Sequence, residues 1–215
     1  MAATMKSDEL NIVQEQIIEK RNIIPIEQFF DEMYLTESEK AERKDLANGI
    51  LLVLVAILTI IKTNEVLKNK HDIEYYKGYV DSNLRSLFSV TFPGNDYSNS
   101  IKSFADDFID VTMRNLDTEY FTSEDRAIVN AENTSNSAYN KHQYDEAIRT
   151  GKTIKKWVTK HDKRVRKTHE AVDGQEVAID KLFEVGGYEM AFPMDKSHGA
   201  HSKECIGCRC VVIYS

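Results

Sequence analysis

Apolar residues recur at helical spacing through the first two thirds of the chain, and the period changes to two after Gly151. Leu10, Val13, Ile17 and Ile18 share one face of a helix that Ser7 can cap, with Asp8 and Glu9 in its first turn. Pro25 suits the start of a second, short helix carrying Phe29, Phe30 and Tyr34. The charged run from Ser38 leads into residues 50–61, which are apolar on every face, and the helical pattern continues towards Val90. Phe92-Pro93-Gly94-Asn95-Asp96 is the clearest breaker in the first half. Beyond it Ile101, Phe104, Phe108, Val111 and Met113 approximate one face, and Ser123 with Asp125 can cap a following helix through Ala127, Ile128 and Ala131. The polar stretch 133–140 predicts a frayed or interrupted helix, and Gly151 predicts a C-cap.

After Gly151, Ile154, Lys156 and Val158 alternate with Lys155, Trp157 and Thr159, which predicts a strand. Asp162 is expected to cap a short helix with Val165, His169 and Val172 on one side, closed by Asp173-Gly174. Short segments at 176–179, 182–185, 188–192 and 209–214 suggest a small sheet, with Gly186-Gly187 as a hairpin turn. The expected fold class is α+β, a mainly helical N-terminal region followed by a small C-terminal α+β module with a short antiparallel sheet. The expected division is a helical docking region at 1–95 and a module at 96–215, the latter made of helices at 100–150 and an α+β unit at 151–215.

Residues 50–61 are short for a membrane span, which needs about 20 apolar residues. They suit a buried bundle helix or an oligomer seam rather than stable membrane insertion, with transient membrane contact as the alternative. Residues 1–21 are charged and amphipathic and lack the apolar core of a secretory signal, so synthesis in a cytosol is expected. Cys205, Cys208 and Cys210 cannot all pair with one another, and a reducing compartment favours metal ligation over a disulfide.

The net charge of -7 is unevenly placed. Residues 151–215 hold 12 Lys+Arg against 9 Asp+Glu, net +3, and residues 1–150 hold 16 against 26, net -10. Residues 152–167 contain eight basic side chains and one acid, Asp162. Lys152, Lys155, Lys156, Lys160, Lys163, Arg164 and Lys167 are therefore DNA-contact candidates, although a basic solvated face needs no partner.

Cys205, Cys208 and Cys210 with His169 supply the ligand count of a closed structural Zn2+ site. His198 and His201 are alternative fourth ligands, and free cysteines in a small core beside a hydrogen-bonded histidine are the bland alternative. A second reading makes Asp162, Arg164, Arg166 and Asp173 a polar lock, with Asp162 pairing an arginine one turn on and Arg166 reaching Glu132. His161 and His169 are ingredients of a metal-independent nuclease, yet no G-x-S-x-G motif or phosphate-cradling Gly loop occurs. Catalysis is not the expectation.

The order Trp157, Asp162, Arg164-Val165-Arg166, His169, Asp173-Gly174, Pro193 and Cys208-Arg209-Cys210 resembles the C-terminal signature of phage head morphogenesis proteins, the Mu F-like minor head family. Upstream, residues 126–132 resemble a family helix that carries an Arg and a Glu, here Arg126 and Glu132. Gly207 and Cys205 depart from the family pattern, which has an asparagine before Cys-Arg-Cys and no cysteine at 205. The resemblance implies a structural minor head protein of a tailed bacteriophage, made in the bacterial host cytoplasm and located in the capsid interior at the portal vertex. Portal protein, other capsid components and packaged double-stranded DNA are its expected partners, in several copies per virion, with roles in head assembly and DNA packaging or delivery. No effector domain is expected after the module. A free DNA- or RNA-binding zinc module is the alternative.

Overall fold

A computed structural model describes residues 25–215; the helix expected around Leu10, Val13, Ile17 and Ile18 lies outside the described residues. In chain order the elements are α1 (Ile26–Asp31), α2 (Glu37–Val66), α3 (Ile73–Thr91), α4 (Ser98–Arg114), a 3₁₀ turn (Glu119–Thr122), α5 (Glu124–Arg149), β1 (Ile154–Val158), α6 (Lys167–Glu170), β2 (Glu176–Ala178), β3 (Phe183–Val185), β4 (Tyr188–Met190), α7 (Ser202–Cys205) and β5 (Val211–Tyr214). This is the expected α+β class. The chain forms two compact units, one of Thr36–Asn136 and one joining the described residues up to Leu35 to Ser137–Ser215, whereas the sequence pattern placed its boundary at the residue 92–96 breaker. That breaker is only a bend inside the first unit. The division between units falls within α5, where no break in helical pattern marks it.

In the helical unit, Thr36 starts α2 with a capping box: its hydroxyl accepts from Glu39 N, and the Glu39 carboxylate accepts from Thr36 N at 2.8 Å. Ile50, Leu54, Ile57, Leu58 and Ile61 recur three and four apart and are buried, each contributing about 1.5–3 kcal/mol through burial. The opposite face keeps Leu52 72% exposed, so an all-round apolar sequence buries one stripe only. The helix extends well beyond 50–61, and by length and composition alone it could cross a membrane: an 18-residue window has mean hydropathy 2.2 and is 39% buried. The helix is thus longer than the 50–61 run that was expected to be short for a span.

The helical pattern expected to run unbroken towards Val90 is interrupted. Lys68 adopts φ 53, and Asp72 caps a new helix by accepting from Tyr75 N at 3.0 Å. The polar run after Leu67 has no apolar side to hold a helix against a core. At the next breaker Phe92 is buried against Phe88 and Tyr97, with ring centroids 5.7 and 5.1 Å apart. The buried residues of α4 are Ile101, Ala105, Phe108, Ile109, Val111 and Thr112, with the expected Phe104 and Met113 half-buried. Ser123 caps α5 by accepting from Arg126 N at 3.2 Å.

Residues 133–140 are continuous helix, against the expectation of fraying. Asn133 donates to the Val129 carbonyl one turn back, while Ser135, Asn136 and Asn140 find tertiary partners. Ser135 donates to the Arg43 carbonyl at 2.7 Å, and buried Arg43 donates to the Asn136 carbonyl at 3.2 Å and to its side-chain oxygen. In the other unit, Asn140 donates to the Pro193 carbonyl at 3.0 Å. The helix ends as predicted: Gly151 (φ 74) donates to Ile148 and Lys152 donates to Ala147, the paired bonds of a Schellman motif.

The second unit holds a three-stranded antiparallel sheet ordered β2-β1-β5, with Lys155↔Val177 and Trp157↔Val212 in register, and a separate β3-β4 hairpin. Gly186 and Gly187 join the hairpin with φ 61 and 82, the positive values a two-residue type I′ turn requires. One core gathers Trp157, Phe183, Val185, Met190, Cys205, Cys208 and Cys210. The Trp157 and Phe183 rings meet edge to face at 5.2 Å.

Candidate functional site

Strand β1 buries alternate side chains, which places Lys155 and Trp157 inside. Lys155 is thus removed from the DNA-contact candidates. Its ammonium donates to the Ala191 carbonyl at 2.8 Å and lies 4.9 Å from the Tyr144 ring and 5.1 Å from the Phe183 ring. Burial pushes its pKa down to about 8, against the opposing fields of Asp195 and Asp180. Between pH 8 and the ordinary 10.5 the unfolded chain then holds more protons than the folded one, so this group adds stability as pH rises through that window and withdraws it as pH falls. The stability difference between wild type and Lys155→Met, measured by urea unfolding with reductant, is expected to grow in favour of wild type from pH 7.5 to 9.5. A constant difference would contradict a lysine whose pKa burial has lowered.

Among the other basic candidates, Lys152, Lys163 and Lys167 are exposed, Lys160 sits 4.7 Å from the Tyr34 ring, and Lys156 pairs with Glu176 at 3.0 Å. Arg164 is occupied by Glu32 at 2.7 Å.

The polar lock exists with a changed membership. The helix containing His169 begins only at Lys167, and Asp162 instead caps the preceding turn by accepting from Arg164 N at 2.9 Å. The Asp162 carboxylate is gripped at both oxygens by Arg209, at 2.8 and 2.9 Å, and Arg209 also reaches Glu32 at 2.8 Å. Arg209 holds Asp162 below the usual carboxylate range, with burial opposing and the Arg164 amide helping. Arg166 donates to the Ile206 carbonyl, and its expected partner Glu132 belongs to the other compact unit. Asp173 accepts from Thr159 N at 2.7 Å and lies 2.5 Å from His161 Nε2. Burial raises its pKa, but the Thr159 amide and His161 outweigh this and leave it lowered.

Sequence reasoning missed Arg209 and Glu32. Arg209 carried a usable signal, since an extended Cys-Arg-Cys run sends its middle side chain opposite to its neighbours. Glu32 carried none, being 177 residues away along the chain.

His169 lies on the other side of that run. Its Nδ1 is 3.3 Å from Cys210 Sγ and 3.5 Å from Cys208 Sγ, and the three ligand atoms all fall within 4.8 Å of one another. Cys205 is buried in the same core but is not one of this group, which corrects the four-ligand expectation. Burial pushes its thiol up to about 11. Cys208 is held well below the ordinary thiol range, first by a hydrogen bond from Cys210 and then by His169, while the same Cys210 thiol is pushed upward. The alternative ligands are elsewhere: His201 caps α7 by accepting from Lys203 N at 3.1 Å, and His198 lies 4.0 Å from Asp195. His161 is exposed beside Asp173 whereas His169 is buried beside the thiols, so the two nuclease ingredients occupy different environments.

On the far side of the imidazole, His169 Nε2 lies 3.2 Å from Glu204 Oε2, out of line for a full hydrogen bond. Thr168 donates to the same oxygen at 2.7 Å and fixes the carboxylate. A Cβ on Gly186 would stand 2.8 Å from Glu204 Oε1 and 3.1 Å from Thr168 Cγ2. Gly186→Ala is expected to lose about 2–3 kcal/mol, from left-handed strain plus displacement of Glu204, and Gly187→Ala, with open space, only about 1 kcal/mol. Equal losses in thermal or urea unfolding would show that the Glu204 approach is unimportant.

The family described as Phage Mu protein F like protein matches residues 93–213. A curated relative, the NAD(+)--arginine ADP-ribosyltransferase EFV of Enterococcus faecalis (strain ATCC 700802 / V583), is 38% identical over 71 residues, covering 33% of this chain and 14% of that protein. The chain thus spans about one seventh of that relative's length. No solved structure matches.

Proposed function

Since the chain belongs to the Phage Mu protein F like family, and so is a phage head morphogenesis protein, we propose that it acts as a structural minor head protein at the portal vertex inside the capsid. In that place it assists head assembly and DNA packaging or delivery. The family match across residues 93–213 carries the reading, and it supports association with other capsid components. The acidic first 150 residues suit protein docking, and the exposed Lys152, Lys163 and Lys167 suit weak phosphate contact with packaged DNA. No arginine ADP-ribosyl transfer is carried over from the Enterococcus relative, because 14% of that protein is too little to transmit an activity.

Co-expression with the portal protein of the same phage, followed by isolation of portal rings, tests the assignment. Retention of the chain on the rings and its presence in purified heads are expected; a chain free of both overturns it. For DNA, the variant Lys152→Glu with Lys163→Glu and Lys167→Glu should flatten the salt dependence of binding by about 0.9 in log-log slope per lost phosphate contact. An unchanged slope removes DNA from the partners.

A further inference from the structure

We propose that His169 Nδ1 and the sulfurs of Cys208 and Cys210 hold one structural Zn2+ ion, independently of any portal role. Two thiolates and an imidazole form a borderline-soft set that zinc favours. With Zn–S near ~2.3 Å and Zn–N near ~2.0 Å, tetrahedral angles place nitrogen and sulfur ~3.5 Å apart. The observed separations are 3.3 and 3.5 Å. All three residues are buried, so the ligand atoms are already gathered and dry.

Two further observations surround this trio as a metal would require. His169 Nε2, with no hydrogen bond of its own, faces the Glu204 carboxylate, and Thr168 holds that carboxylate in place. A ligating imidazole donates its other N–H to such a group, which fixes the tautomer that leaves Nδ1 free to bind. On the sulfur side, the buried Trp157 indole N–H has no conventional partner and lies beside Cys210, where it can donate to a metal-bound thiolate. An ion there would join α6 to the run entering β5 across 41 residues of sequence, giving a small core a crosslink it otherwise lacks. Cys205 is a packing residue in this assignment. The described residues gather three of the four tetrahedral positions.

The test uses the full chain, expressed with zinc and purified under reductant. About one Zn2+ per chain is expected by elemental analysis, and replacement by Co2+ should give the thiolate charge-transfer and tetrahedral ligand-field bands of a Cys2His site. Cys205→Ser should keep full loading, Cys208→Ser should abolish it, and Glu204→Gln should weaken zinc affinity about 10-fold or more against a competing chelator. The wild-type Co2+ spectrum stands even if a ligand variant fails to fold. Folded wild-type protein with only trace metal and no Co2+ bands, a Cys208–Cys210 disulfide in its place, or loss of loading in Cys205→Ser would each overturn the assignment.

Discussion

Arg209→Met should destabilise the C-terminal unit by about 3 kcal/mol in urea unfolding at neutral pH, near the lower end for breaking a buried ion pair. The guanidinium is almost fully buried and satisfies both oxygens of Asp162 as well as one of Glu32, so its removal strands the Asp162 carboxylate and leaves Glu32 with Arg164 alone. Those carboxylates keep some solvent, and this sets the lower figure. Asp162→Asn alone should cost less, since Glu32 still engages Arg209. In a double-mutant cycle the two changes should be non-additive. A loss for Arg209→Met below about 0.5 kcal/mol would reduce the network to surface decoration.

Arg126→Ala should be at least as damaging to the helical unit, about 3–5 kcal/mol. This arginine is buried, and its guanidinium donates to the Thr112 hydroxyl at 2.6 Å and to the carbonyls of Phe121 and Phe108 at 2.8 and 3.1 Å. It also stacks 4.1 Å from the Phe108 ring centroid. Burial draws its pKa down to about 10, so the charge itself is costly, but truncation leaves those acceptors dry and opens a void beside Phe108. The cost of stranded acceptors exceeds the relief of removing the charge. Circular dichroism melts of Arg126→Ala and Arg126→Lys separate the two effects: the lysine keeps a charge but loses the planar fork, and should recover only part of the loss. Wild-type stability in the alanine variant would show that the buried fork is dispensable.

Several helix positions and the places of the C-terminal strands along the chain were legible because they rest on short-range chemistry, whereas the β2-β1-β5 order and the separate β3-β4 hairpin were not. The Gly151 cap, the Gly186-Gly187 turn and the alternation of β1 each need only neighbouring residues to be recognised. Residues 133–140 were misread because a polar helix face looks unstable until Arg43 and Pro193, distant in sequence, supply its partners. The candidate DNA contact at Lys155 failed for the same reason: a lysine at an inward strand position declares itself only through Ala191 and the rings around it. His169 with Cys208 and Cys210 was visible in composition, whereas the absence of Cys205 from the group depended on where α7 leaves its last residue.

The alternation in Cys208-Arg209-Cys210 sets a limit on how this chain can change. Adjacent side chains there serve opposite sides, thiols towards His169 and the guanidinium towards Asp162 and Glu32. A substitution disturbs one side only, but inserting or deleting a single residue would exchange the two sides at once, driving charge into the core and sulfur out of it. Length variation should therefore be tolerated in the exposed 196–199 loop and lethal to folding between 208 and 210.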